Sequence, residues 1–247
     1  MPSFVHGGHP SSLIGTVFRE RLDSLYAGEP QPGVDATRHQ IDTTTRISPD
    51  EGLALVRLAT RVAATHTLEV GLGYGFSTAY LLAALANRQQ ADAVAHLAID
   101  PFQLTDWNGI GITTASELVA ASPWLSDSSF HCVQERSDIA LAGLLKKGRF
   151  FDLAFIDGYH RFDDVLVDFT LAAQMCPMGG AIVLHDMWLP GIASIAAFIR
   201  SNRADFAEVH TECENLFAVQ RVGKDNRNWD HFVPFTSGGT FVTEVGA

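Results

Sequence analysis

From Thr67 to Val222 the chain alternates short apolar runs with stretches of helical period, and no other feature limits its folding so narrowly. The runs are "TLEV", "AHLAID", "FHCVQ", "DLAFID" and "AIVLHD". Between them lie helical patterns that start near Ser77, near Ala115 and near Asp163, and a last one carries Ile192, Ile195, Ala196 and Ile199. Strands that are apolar throughout are buried on both faces, and strands separated by helices run parallel through helical crossovers. Two further runs, "FAEVHTE" and "LFAVQRV", are separated only by a short polar turn and predict an antiparallel hairpin at the sheet edge. The fold class expected is therefore α/β, a doubly wound, mostly parallel seven-stranded sheet with a C-terminal hairpin.

Ahead of this region, residues 12–28 put Leu13, Val17, Leu22, Leu25 and Tyr26 on one helical face, and Gly28 before Pro30 stops the pattern. A polar connector leads to "SPDE", where Ser48 precedes Glu51 by three residues with Pro49 between them. That is a capping box with proline at its favoured first-turn position, and it starts a helix that turns Leu55, Leu58, Ala59 and Val62 inward. The whole chain, 1–247, reads as a single domain: an N-terminal helix and connector over 1–46, a core over 47–222 and a tail over 223–247. The tail segment "DNRNWDHFVPF" carries Trp229, Phe232 and Phe235, aromatics that call for burial against the domain or a second subunit.

Composition excludes several classes of function. Seventeen basic against 28 acidic residues give a formal charge of −11, which repels phosphate backbones and makes nucleic acid a poor partner. No apolar run is long enough to span a bilayer, and "MPSFVHGGHPSS" lacks the basic-then-apolar pattern of a signal peptide, so a cytoplasmic location without membrane association is expected. Cys132, Cys176 and Cys213 have no CxxC spacing and read as buried or incidental thiols. His6 and His9 in "HGGHP" read as part of a terminal segment rather than a metal site.

In an open parallel sheet, ligands bind beyond the carboxyl ends of the strands. Here those ends are acidic: Glu69 before the glycine loop Gly71, Gly73 and Gly75, then Asp100, Asp157, and His185 with Asp186. Glycines let a backbone turn sharply beside a ligand, and the helix that follows offers free amide donors. A dinucleotide enzyme shows GxGxxG, whereas Phe76 stands where its third glycine would fall. Asp100, 25 residues after Gly75, is placed to accept hydrogen bonds from both hydroxyls of a ribose. Trp107, in the long loop that leaves the second strand, belongs either to a wall of the binding site or to a plain surface loop.

With an acid and three alternating glycines after the first strand, an acid closing the second, and "PMGGAIVLHD" into the fifth, the chain resembles the class I S-adenosylmethionine-dependent methyltransferases. Through "ISPDEGLALVRLATRVAATHTLEVGLGYGFSTAYL", "FDLAFIDGYH" and "GGAIVLHD" it is similar to the catechol and caffeoyl-coenzyme A type O-methyltransferases, and to related sugar and antibiotic methyltransferases, over about residues 40–222. The resemblance implies that Glu69, Gly71 and Gly75, in a loop completed by Gly73 and Tyr74, hold the methionine part of the cofactor, with Ser77 at its carboxylate. It further implies Asp100 at the ribose, Arg136 or Ser137 at the adenine, Asp157 beside the cofactor, and Thr45 and Ile47 packed near it. Relatives of this kind commonly form homodimers.

Metal-dependent relatives hold a magnesium-like ion with residues that Asp157 and Asp186 match, but the next position here is Met187, whose thioether does not ligate a hard cation. His160 and His185 either complete a site better suited to manganese, iron or zinc, or one of them acts as general base towards the acceptor hydroxyl. His185 and Asp186 are adjacent on a strand, so one of the two is expected to point away from the cleft. The function expected is methyl transfer to a hydroxyl of a small molecule, with a divalent cation as an optional helper. The rival readings are a nicotinamide-dependent oxidoreductase and a non-catalytic cofactor-binding module.

Overall fold

Among the described residues, 13–89 and 94–236 of a computed structural model, seven α-helices, a short 3-10 turn and nine strands follow one another. His6 and His9 lie outside the described residues. Strands β3 (His66–Val70), β4 (Ala95–Ile99), β5 (Phe130–Val133), β6 (Leu153–Ile156) and β7 (Ala181–Leu184) run parallel, and β8 (Phe206–Val209) and β9 (Phe217–Arg221) close the sheet in antiparallel pairs. The order across the sheet is β5-β4-β3-β6-β7-β9-β8. The expected α/β class, the seven strands and the terminal hairpin are all present. The hairpin enters the sheet through its second strand: β9 pairs with β7, and β8 takes the edge.

Burial follows from this order. Every residue of β6 and β7 is buried, as continuous apolar runs require, whereas β5 at the opposite edge is only half covered. Leu68, Val70, Ile99, Ile156 and Leu184 face helices α5 (Ser137–Lys146), α6 (Phe162–Met175) and α7 (Pro190–Asn202). Phe155, Val183 and Ala218 face the layer built by α1 (Thr16–Tyr26), α2 (Pro49–Arg61), α3 (Phe76–Ala86) and α4 (Ile110–Ala121).

The face of α1 that reaches the core is Phe18, Leu22 and Leu25, continued by Ile14 just ahead of the helix and rotated from the expected one, so that Leu13, Val17 and Tyr26 are only partly covered. The capping box of α2 forms as read: the Ser48 hydroxyl accepts from Glu51 N at 3.3 Å, and the Glu51 carboxylate accepts from Ser48 N at 2.5 Å. Leu55, Leu58 and Ala59 are buried, while Val62 sits half-buried just past the last turn. The connector holds two short paired strands, β1 (Gln31–Pro32) and β2 (Arg38–His39), which no periodicity reveals. The tail folds back on α7: Asn202, buried, exchanges hydrogen bonds of 2.9 and 2.7 Å with the Val233 backbone, and Phe235 packs on Phe198. Trp229 stays 97% exposed, which departs from the burial expected of it. None of the described helices is long and apolar enough to cross a membrane.

Candidate active site

The chain leaves β3 in one direction for β4 and β5, then crosses back to β6 and β7, so the sheet's switch point lies between β3 and β6. A cleft of about 1060 Å³ opens there, at the carboxyl ends of the strands. Its walls come from Gly71–Tyr74 after β3, Asp100–Phe102 after β4, Arg136–Asp138 after β5, Asp157–Arg161 after β6, and His185, Asp186 and Trp188 after β7. Thr44–Ile47, ahead of α2, form a further wall, and Trp107 lines the cleft with its ring edge-on to Tyr74 at 4.9 Å.

The glycine loop is held from below. A Cβ on Gly71 would lie 2.1 Å from the Asp157 carbonyl oxygen, so only glycine lets β3 and β6 approach this closely at the cleft floor. Gly73, at φ +51°, has no neighbour within 4 Å of where a Cβ would stand, which leaves its surface open to a ligand. Asp100 fixes the loop: Oδ2 accepts from Gly73 N at 2.9 Å and from Gln103 Nε2 at 2.8 Å, and Oδ1 accepts from Phe102 N at 2.9 Å. A carboxylate offers about four acceptor sites, so the one left for a diol belongs to Oδ1. Gln103, fully buried, also donates to Gly73 O at 2.8 Å, a bracing role that no sequence motif announces.

Helix α3 starts at Gly75 without a side-chain cap, so its first amide donors and Ser77 face the cleft with the positive end of the helix dipole. This arrangement suits the carboxylate of an amino-acid-like ligand. Ser137 opens α5 on the opposite wall, beside Arg136, whose guanidinium is exposed and paired with Asp138 at 3.1 Å.

Glu69 is placed differently from the other loop residues. It is fully buried behind the loop, where Oε2 accepts from Thr78 and faces His96 Nε2 at 3.0 Å, and it does not line the cleft. His96, also fully buried, is fixed in turn by Thr67 Oγ1 at 2.9 Å. The Oε1 atom of Glu69 has no hydrogen-bond partner.

At the β6 and β7 ends, Asp157, His160 and Asp186 offer donor atoms within 4.8 Å of one another. His160 Nε2 lies 3.2 Å from Asp157 Oδ1 and 3.0 Å from Asp186 Oδ2, and these two contacts hold its pKa up at about 9 against the opposing effect of burial. His185 Nδ1 lies 2.8 Å from Asp157 Oδ1. Burial lowers the His185 pKa, but hydrogen bonding to Asp157 and Glu51 outweighs it and carries the ring up to about 10. Burial raises the Asp186 carboxyl, and His160 and His185 more than reverse this, holding it well below the usual carboxylate range.

One expectation changes here. Both His185 and Asp186 turn into the site, because Asp186 adopts φ +58° and the strand alternation ends before it. With no cation present, the flanking carboxylates favour the protonated form of both rings. Asn215, in the β8–β9 turn, is a cluster residue that sequence reading missed: its Nδ2 lies 2.9 Å from Glu51 Oε1, 3.1 Å from His185 Nε2 and 3.4 Å from Asp186 Oδ1.

Residues 68–187 match the family described as a methyltransferase domain. Over these residues the chain carries a methyltransferase domain. Among solved structures, the methyltransferase is similar to the O-methyltransferase TomG of Streptomyces achromogenes, involved in tomaymycin synthesis and solved with S-adenosylmethionine (19% identity, 87% of this chain and 94% of that one, TM-score 0.57). It is also similar to an O-methyltransferase of Bacillus cereus in complex with S-adenosylhomocysteine (15% identity, 85% and 94% coverage, TM-score 0.56). A third is CalS11, a TDP-rhamnose 3′-O-methyltransferase of calicheamicin biosynthesis (14% identity, 90% and 98% coverage, TM-score 0.59). At these identities the likeness is one of fold. No curated protein matches the methyltransferase in sequence.

Proposed function

We propose that the methyltransferase moves a methyl group from S-adenosylmethionine to a hydroxyl oxygen of a small molecule, assisted by a divalent cation held by Asp157, His160 and Asp186. The observation that carries this reading is the convergence of those three donors at one end of a cleft whose other end is the glycine loop. The residues present fit the cofactor: uncapped α3 amides and Ser77 for a carboxylate, the free acceptor site of Asp100 for a ribose hydroxyl, and Ser137 with Arg136 on the far wall. They also fit a cation, since two carboxylates and an imidazole form a mixed oxygen and nitrogen set of the kind manganese, iron or zinc accept. Met187, which stands where metal-dependent relatives have an oxygen donor, is half-buried and packs against the apolar layer under α7.

S-adenosylmethionine supplies an electrophilic methyl group on a sulfonium, and the protein's share is alignment and charge. Asp157, His160 and Asp186 would hold the cation, and when bound it would supply the charge that lowers the pKa of an acceptor hydroxyl, whose proton would pass to solvent. Asp157 stands between the two ends of the cleft: its carbonyl supports the loop under Gly71, and its carboxylate faces both histidines. The aromatic rings of Trp107, Tyr159 and Trp188 line the cleft. The resemblance to catechol-type O-methyltransferases, and the fold shared with CalS11, a TDP-rhamnose 3′-O-methyltransferase, make a phenol and a sugar hydroxyl the first acceptors to try.

The test is calorimetric titration of S-adenosylmethionine and S-adenosylhomocysteine with and without manganese, with NADH as control, followed by turnover on a panel of phenols and glycosides. Micromolar binding of both sulfur compounds and manganese-dependent turnover are expected. Binding of NADH alone overturns the methyltransferase reading. Turnover that is unaffected by chelators removes the cation, and cofactor binding without turnover on any acceptor favours the non-catalytic module.

A further inference from the structure

The glutamate of the α2 capping box does two jobs. One oxygen, Oε2, closes the box on Ser48 N at 2.5 Å, and the other, Oε1, accepts from Asn215 Nδ2 at 2.9 Å and lies 3.5 Å from His185 Nε2. Helix capping needs only the first of these contacts. The second spans 164 positions of sequence and ends in the catalytic cluster, where Asn215 Nδ2 also reaches Asp186 Oδ1 at 3.4 Å. Glu51 is 8% exposed and His185 6%, so the contacts form in a place where water does not compete well for them. Asn215 lines the cleft, and its Oδ1 is buried with no partner, so the side chain is not held there by bonds of its oxygen.

We infer that Glu51 and Asn215 are positioning residues that hold His185 and Asp186 against Asp157 and thereby set the geometry of the cation site. The inference rests on the cation reading above. Asp186 sits in a left-handed conformation just past β7, where the strand no longer directs its side chain. Its Oδ1 is therefore oriented from outside, by Trp188 Nε1 at 3.0 Å and Asn215, which leaves Oδ2 for the side shared with His160. Asn215 is in turn kept in place by Glu51, and Glu51 by the first turn of α2. Outer partners of this kind typically change metal affinity about 10-fold to 100-fold when removed.

The experiment compares Asn215→Ala, Glu51→Gln and Ser48→Ala with the unaltered protein. Glutamine at 51 keeps an oxygen for the backbone N–H of residue 48 but turns a donor towards Asn215 and His185, so it cuts the clamp and spares the cap. Alanine at 48 does the reverse, because Glu51 bonds the backbone there. Manganese affinity is read by calorimetry, S-adenosylhomocysteine affinity by the same method, and the buried His185 imidazole by a slowly exchanging N–H in nuclear magnetic resonance. Asn215→Ala and Glu51→Gln are expected to weaken manganese binding about 10-fold or more while S-adenosylhomocysteine affinity holds, and Ser48→Ala to leave both unchanged. Wild-type manganese binding matched by Asn215→Ala and Glu51→Gln overturns the clamp and leaves the cation reading standing. No manganese binding by the wild-type protein ends the cation reading, and the clamp is then judged on the imidazole signal alone. A signal present in the wild-type protein and lost in both clamp variants supports the clamp; one absent from the wild-type protein or surviving in the variants overturns it.

Discussion

Two buried carboxylates with opposite surroundings lead to different consequences at the scale of the residue. Asp100 is surrounded by donors, three of which tie the glycine loop and the following turn to it. Asp100→Ala is expected to release the loop and remove the ribose acceptor together, weakening S-adenosylmethionine binding by roughly 10-fold to 100-fold, about 1.4 to 2.8 kcal/mol. Calorimetry reads this directly, and unchanged affinity would remove Asp100 from the cofactor site. Asp168, on α6, is 1% exposed, and its Oδ1 has no partner. Burial raises its pKa to about 6, the Ser137 hydrogen bond opposing this and Asp164 and Asp138 adding to it. Because the folded value lies above the ordinary 3.8, the protonated form is the favoured one: its contribution is complete below about pH 4 and is lost as pH rises through 6. Asp168→Asn should therefore stabilise the protein at pH 7.5 by up to about 3 kcal/mol, two pKa units, and by only about 1 kcal/mol at pH 4.5. Urea denaturation at the two pH values checks the sign, and a loss of stability at pH 7.5 would mean that the charge on Asp168 is used. Asp100, Asp157 and Asp186 were legible in the sequence because strand ends announce them. Gln103, His96 and Asn215 were not, since each acts through a partner that only the folded chain brings near, Asn215 through a glutamate at the other end of the core.

Elements were legible where their signals are local. The start of α2 follows from four consecutive residues, and its cap, its proline and its buried face appear as read apart from Val62. The pairing of β1 with β2 escaped because two-residue strands carry no period, and the inward turn of both His185 and Asp186 escaped because strand alternation does not foretell a left-handed residue. The same α2 contains a packing constraint that amphipathic patterning cannot show. A Cβ on Gly52 would lie 2.2 Å from the Tyr80 ring of α3, and Tyr80 is fully buried with its hydroxyl 3.4 Å from that of Tyr26. With no room for the ring to withdraw, Gly52→Ala is expected to cost about 1 to 3 kcal/mol through overpacking, in spite of alanine's better helix propensity. Urea denaturation is again the measurement. A gain in stability would show that α2 and α3 can separate, and with them the Thr44–Ile47 wall of the cleft.

Taken whole, the molecule gathers most of the candidate functional side chains at the carboxyl ends of the strands, and the sheet order decides which of them meet. Sequence alternation predicts the parallel class, but it does not say that β6 lies beside β3, which is what brings Asp157 under Gly71, nor that β9 lies beside β7, which brings the β8–β9 turn and Asn215 to the cluster of His185 and Asp186. Because the cleft is bounded by loops after β3, β4, β5, β6 and β7 together with the segment ahead of α2, a ligand that fills it ties both helical layers to the sheet. Such a ligand binds only the folded chain and stabilises it by mass action. S-adenosylhomocysteine at about 100 times its dissociation constant should add about 2.7 kcal/mol, which for a chain of this size raises the melting temperature by roughly 5 to 11 °C. NADH at the same concentration should leave the transition where it was, because Phe76 occupies the place of the glycine that a pyrophosphate needs. A melting curve that moves with NADH and not with S-adenosylhomocysteine would assign the cleft to dinucleotides. A curve that moves with S-adenosylhomocysteine in the unaltered protein but not in Asp100→Ala would tie the stabilisation to the glycine loop and to the carboxylate that holds it.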